Sequence, residues 1–197
     1  CAWAPETVYD PATGRMMIYF TMRFGNEQNR LYYVYVNQDF NRIESIPQIL
    51  FEYPSGASAI DGDITPIWNE ERQKMEYHLF YVAHESGSGI KQAVSERIDG
   101  GYRFDPRWID FEPVACEAPN VWKRIGENKW VLMYDIFGIN PHNFGFVETC
   151  DFVHFKNLGR FNEGIMKTTN FGRPSTVIHL TKEEADRLED YWNNQKH

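Results

Sequence analysis

Two carboxylates and an indole stand at nearly constant intervals along this sequence. Trp3 lies in Cys1-Ala2-Trp3-Ala4-Pro5-Glu6, Asp61 in Ala59-Ile60-Asp61-Gly62-Asp63, and Glu117 in Cys116-Glu117-Ala118-Pro119-Asn120. Trp3 and Asp61 are 58 positions apart, and Asp61 and Glu117 are 56 apart. Another 57 positions on, Pro174 stands in Arg173-Pro174-Ser175-Thr176-Val177. Two carboxyl groups held in one pocket are the groups that acid–base chemistry uses. Each side chain also has a plain structural role open to it. Asp61 could cap a turn with Gly62, and Asp63 competes for its place. Glu117 could be a solvated charge, and Trp3 could be core.

A repeat of this length is the signature of stacked supersecondary units, as in propellers and solenoids. In a propeller the first strand of each blade lines the central axis, which would gather Trp3, Asp61 and Glu117 around one pocket. Alternating apolar runs bounded by turn residues predict strands at 6–9, 16–22, 31–37 and 48–53 in the first unit. The second unit has them at 64–68, 76–83, 89–95 and 108–112, and the third at 120–124, 129–134, 144–149 and 155–158. Four strands per unit is the content of a propeller blade. The expected fold is therefore all-β, with blades over about 1–58, 59–115 and 116–172 of a single domain. Residues 173–180 would start another unit. Thr181 and Glu184 form a capping box, and Ala185, Leu188 and Trp192 follow at helical spacing. They predict a helix over 182–193 that packs on the propeller's rim.

The 197 residues carry a net charge of −8 and 16% aromatic side chains. With no Lys/Arg-rich run, a nucleic-acid or anionic-membrane partner is not expected. No apolar run reaches the roughly 18 residues of a membrane helix. No signal peptide is evident at the start of the sequence. Cys1, Cys116 and Cys150 have no metal spacing and are expected as small core residues. His84, His142, His154 and His179 also lack ligand spacing, so no metal is expected. Asp110/Glu112 and Glu183/Glu184 are expected as solvated charges. Ser86-Gly87-Ser88-Gly89 is a flexible connection.

The motifs carry a resemblance. Trp3-Ala4-Pro5-Glu6, Tyr9-Asp10-Pro11 and Met17-Ile18-Tyr19 resemble the second-blade opening of glycoside hydrolase family 43. The members of that family are five-bladed propellers that cleave arabinose or xylose residues from plant polysaccharides. Ile60-Asp61-Gly62-Asp63 with His78-Leu79-Phe80-Tyr81 is similar to its third-blade motif. The stretch from Cys116 to Lys123, with Lys129-Trp130-Val131-Leu132-Met133-Tyr134-Asp135, is similar to the fourth. Thr176-Val177-Ile178 with Thr181 and Glu183-Glu184 resembles the C-terminal stretch of bacterial members.

The resemblance implies an inverting glycosidase acting on arabinofuranosyl or xylosyl linkages. It makes Glu117 the general acid and Asp61 the carboxylate that orients it and raises its pKa. It makes Trp3 a stacking face for the sugar and Asp135 a further substrate-binding residue. No cofactor is required, and a structural calcium is not indicated. The partner is an oligosaccharide or polysaccharide, and a bacterial secreted or periplasmic setting follows from the same likeness.

The departures are equally specific. In the family the general base sits in an Arg-Asp-Pro-like strand of a first blade, before the Trp-Ala-Pro motif. Asp10-Pro11 stands in the turn after the first strand and is no substitute. Five blades of about 57 residues need roughly 285, about one and a half blades more than this sequence. Arg173-Pro174-Ser175 replaces Arg-His-Gly, Ala118 replaces glycine, and Ala83-His84 stands in place of Lys-Asp. Residues 1–197 alone are thus expected to hydrolyse poorly and to self-associate through open blade faces. The alternative is a non-catalytic carbohydrate-binding or structural propeller piece without the base.

Overall fold

The structure is a computed structural model and describes residues 1–167 and 177–194. Twelve strands form three four-stranded antiparallel sheets in chain order. The first sheet is β1 (Ala2–Asp10), β2 (Arg15–Met22), β3 (Arg30–Val36) and β4 (Gln48–Phe51). The second is β5 (Ala59–Asn69), β6 (Lys74–Ala83), β7 (Gly89–Ser95) and β8 (Arg103–Phe104). The third is β9 (Glu117–Lys123), β10 (Trp130–Ile136), β11 (Asn143–Thr149) and β12 (Lys156–Arg160). A helix, α1 (Lys182–Asn194), follows.

Alternation along the middle strands explains how the sheets stack. On β6, Tyr77, Leu79, Tyr81 and Ala83 join a core with the first sheet, including Leu31 and Phe51. The intervening Phe80 and Val82 join a second core with Leu132, Tyr134 and Ile136 of β10. The other face of β10 supplies Val131 and Met133 to a third cluster with Phe146 and Leu158. Side chains alternate faces along a strand, so one run such as Trp130–Ile136, buried at all seven positions, serves two interfaces. This is blade-on-blade packing. Each first strand is a sheet edge, which is where Pro5, Pro66 and Pro119 can sit without breaking a ladder hydrogen bond.

Three expectations are corrected. The fourth strand of the second sheet is Arg103–Phe104, not 108–112. Residues 108–112 still run beside β7. Ile109 N–H donates to the Ile90 carbonyl, and Ile90 N–H donates to Asp110 Oδ2 at 2.8 Å. A side-chain carboxylate there replaces the backbone acceptor that a strand would offer. Asp110 and Glu112 are accordingly not solvated charges. Glu112 receives a fork of hydrogen bonds from Arg160, 3.2 Å from Nε and 2.6 Å from Nη2. Of the cysteines only Cys116 is core, and Cys1 and Cys150 are exposed.

The capping box forms as expected. Glu184 N–H donates to Thr181 Oγ1, and Thr181 N–H donates to Glu184 Oε2 at 2.8 Å. The helix does not bury its stripe against the described residues: Leu188 and Trp192 are 51% and 59% exposed. Arg173, Pro174 and Ser175, where another unit was expected to open, lie outside the described residues. Residues 177–180 carry no strand.

Candidate active site

The first strand of every sheet carries the same irregularity near its start. The β1–β2 register shifts between Trp3 and Glu6, the β5–β6 register between Ile60 and Asp63, and the β9–β10 register opposite Met133 and Asp135. At each shift one non-glycine residue has a left-handed backbone: Ala4 at φ 48°, Asp61 at 53° and Ala118 at 50°. Such bulges cost strain and redirect a side chain, and they gather at functional sites. They also correct the apparent spacing. Ala4, Asp61 and Ala118 are strictly 57 apart, so Trp3, Ile60 and Glu117 are the equivalent residues before the bulge. Asp61 occupies the bulge itself, one position later. Gly62 is not part of a turn. It lies in β5, where an added Cβ would meet Leu31 Cδ1 at 3.0 Å, so its absence lets the first two sheets close.

A bulge frees backbone N–H groups, and here the neighbouring sheet takes them up. Asp61 N–H donates to Thr21 Oγ1 at 3.0 Å, and Ile64 N–H donates to Tyr19 Oη at 3.0 Å. One sheet further on, Ala118 N–H donates to Asp61 Oδ2 at 3.4 Å, and Val121 N–H donates to Asp63 Oδ2 at 3.1 Å. Then Val177 N–H donates to Asn120 Oδ1 at 2.8 Å. Side chains of each unit thus hold the opening of the next, and Asp61 and Asp63 do so for the unit that begins with Glu117.

The geometry brings Asp61 to Glu117. The Asp61 carboxylate is bonded to the peptide nitrogen that joins Glu117 to Ala118. Burial pushes the Asp61 pKa up, and the Ala118 N–H opposes that shift. Trp3 is half-buried and packs against the cluster that contains Ile60, Val82 and Tyr134, so it has a core role on at least part of its surface. Asp135 pairs with Glu117 across β9 and β10 but is only 1% exposed. It is a buried cross-strand neighbour of Glu117. Two neighbours were not legible as site residues. Desolvation lowers the His84 pKa, and the negative charge of Glu117 opposes that shift. Ser88 Oγ donates to the carbonyl of Cys116 at 3.0 Å, which anchors the Ser86–Gly89 connection next to Glu117.

Asp63 is no competitor for Asp61. It is 7% exposed, and its oxygens accept from Asn120 Nδ2 at 2.9 Å, Val121 N–H and Thr65 Oγ1. Burial pushes its pKa up to about 7 despite these donors. The folded protein therefore holds a proton on Asp63 that the unfolded chain, near 3.8, has released. The resulting stability is full below about pH 4 and is lost as pH rises through 7. Asp63→Asn keeps the shape and one acceptor while removing the titration. Its melting temperature is expected to rise relative to the parent between pH 5 and 8. The difference should reach several degrees, since one pKa unit is about 1.4 kcal/mol and 1 kcal/mol moves Tm by about 2–4 °C in a domain this size. Thermal melts in a buffer series check it, and a constant difference across that window would contradict the assignment.

Among the described residues no cluster of His, Cys, Asp or Glu could hold a metal ion, and no helix is long and apolar enough to cross a membrane.

Several solved glycosidases share this fold. An endo-arabinase from Bacteroides thetaiotaomicron superposes with a TM-score of 0.57 at 13% identity, over 74% of this chain and 55% of its own. A thermostable family-43 glycoside hydrolase does so with a TM-score of 0.58 at 15% identity, over 88% and 61%. The catalytic domain of a family-62 α-L-arabinofuranosidase from Coprinopsis cinerea gives 0.56 at 14%, over 80% and 50%. At these identities the likeness is one of fold, and the chain spans between half and about three-fifths of each of the three. No curated protein matches the sequence. Residues 1–186 match the family model described as "Probable glycosyl hydrolase domain", of the group related to glycoside hydrolase family 43, and the chain belongs to that family.

Proposed function

We propose that this chain supplies the acid half of an inverting glycosidase that cleaves arabinofuranosyl or xylosyl linkages in plant polysaccharides. The observation that carries the proposal is the Asp61–Ala118 hydrogen bond, which sets a desolvated carboxylate beside the peptide of Glu117. Glu117 is the general acid. It gives its proton to the leaving glycosidic oxygen as the bond to the anomeric carbon breaks. Asp61 is a positioning residue: its charge holds the proton on Glu117 until that oxygen arrives. Trp3 offers part of its ring to the sugar. Asp135 fixes Glu117 from the neighbouring strand.

A water attacks the opposite face of the sugar and loses its proton to a general base. In inverting enzymes the base and acid carboxyls are roughly 6.5–9.5 Å apart. Asp63 is buried and already hydrogen-bonded, so the base role falls to another carboxylate of the complete propeller. The step uses no cofactor.

The test is hydrolysis of arabino- and xylo-oligosaccharides by the full-length protein, followed by proton NMR. The expected result is a first-formed pentose whose anomeric configuration is opposite to that of the bond cleaved. Retention would contradict the single-displacement mechanism. Binding without hydrolysis by folded full-length protein would favour a carbohydrate-binding propeller instead.

A further inference from the structure

The inner strands β5 and β9 have a second end, remote from Asp61 and Glu117. There the second and third sheets part to form a groove of about 1260 Å³. It runs from Thr65–Glu71 and Val121–Lys123 at the inner strands outward to Asp105 and Asp151. Thr65 to Asn69 are four to eight residues beyond Asp61. At about 3.3 Å per residue that is roughly 13–26 Å from the acid site. The groove exceeds the roughly 300–1,000 Å³ typical of a site for one small molecule. It has room for several linked rings.

Its lining is built for polyols. Trp68 is 47% exposed on one wall, and Trp122 adds a half-buried indole. The floor is Phe152, on which the His78 ring lies at 4.4 Å. Two buried polar side chains line the groove with an unused atom each. His78 is 7% exposed and Gln92 is 2% exposed, yet His78 Nδ1 and Gln92 Oε1 have no hydrogen-bond partner. Buried polar atoms are normally paired, and leaving one unpaired costs about 1–3 kcal/mol. The rest of Gln92 is fixed, because Nε2 donates to the Phe152 carbonyl at 2.8 Å. The His78 and Gln92 side chains lie against each other, so a ligand hydroxyl at the groove floor would meet them as a pair. Three of the five carboxylates of the lining are matched already. Asp105 holds Arg107, Glu76 holds Arg72, and Asp151 holds His154. A groove with aromatic walls, a polar pair in its floor and mostly paired charges suits a neutral ligand rich in hydroxyls.

We propose that this groove is a second glycan-binding site, which takes a neutral oligosaccharide with one ring stacked on Trp68 and a hydroxyl on the His78–Gln92 pair. Such a site anchors a polysaccharide chain on the face of the protein opposite to the acid.

The experiment uses full-length protein carrying Glu117→Gln, so that the probe survives, with xylohexaose and arabinohexaose as separate probes. Calorimetry is expected to show two classes of site for at least one of them. Adding Trp68→Ala should weaken one class about tenfold, since stacking contributes up to about 1.5 kcal/mol. The indole N–H resonance of Trp68 in the single variant should shift on titration, a readout that does not depend on how well the double variant folds. A single class of site unaffected by Trp68→Ala, or resonance shifts confined to the surroundings of Asp61 and Glu117, would overturn the proposal. So would a Trp68 resonance already protected in the free protein, since another segment of the chain would then occupy the groove. Hydrolysis is read in neither arm, so failure of the hydrolytic assignment leaves this result standing.

Discussion

Glu117→Gln in the full-length protein is expected to lower kcat on arabino- or xylo-oligosaccharides by about 10²–10⁴-fold, the usual contribution of a positioned general acid. A sugar leaving group needs the proton. A dinitrophenyl leaving group does not, so the same variant should keep most of its rate on dinitrophenyl pentosides. Glutamine preserves the shape of the side chain at the start of β9, and Asp61 holds the backbone there through Ala118 N–H. The melting temperature should therefore change little. Initial rates on the two substrate types, with a thermal melt as control, check the expectation. An equal loss on both would mean that Glu117 acts in binding or folding rather than as the acid.

Gly145→Val is expected to damage the fold severely. Gly145 pairs with Tyr134 in the β10–β11 ladder, and an added Cβ would lie within the Tyr134 ring. Tyr134 is fully buried in the cluster that also contains Cys116, the residue before Glu117. Its ring cannot retreat without displacing the packed neighbours of that cluster. Overpacking of this kind costs about 3 kcal/mol or more, which corresponds to roughly 6–12 °C of Tm. Circular dichroism melts measure it. A melting temperature within a degree or two of the parent would show that the ring can move aside.

Much of this architecture was legible because blade strands alternate. The strand expected at 16–22 carries Met17, Tyr19 and Thr21 as one buried face, and β6, β7 and β10 were placed to within about two residues. The first strand of each sheet was read too short: 6–9 for Ala2–Asp10 and 64–68 for Ala59–Asn69. The cause is the bulge. Pro5, Gly62 and Pro119 signal a break in a sequence pattern, yet at a bulged edge strand they are tolerated. The same bulge hid the one-position offset between Asp61 and Glu117, since nothing in the letters marks a left-handed aspartate. The two-residue β8 is too short for periodicity, and its continuation relies on the Asp110 carboxylate, which looks like any surface charge. The contacts between sheets were invisible for a different reason. Most of their donors are backbone N–H groups, which have no sequence signature, and the groove at Trp68 arises only where two blades part.

The most direct test of the account is a double-mutant cycle on the full-length protein, with kcat/KM on one oligosaccharide for the parent, Asp61→Asn, Glu117→Gln and the double variant. Asparagine retains an acceptor for Ala118 N–H, so it removes the charge and little else. If Asp61 works through Glu117, the double variant is no slower than Glu117→Gln alone, and the alkaline limb of the Asp61→Asn profile moves to lower pH because the acid loses its proton more easily. Losses that simply multiply, with an alkaline limb unmoved by Asp61→Asn, would contradict the coupling of Asp61 to Glu117 on which the account rests.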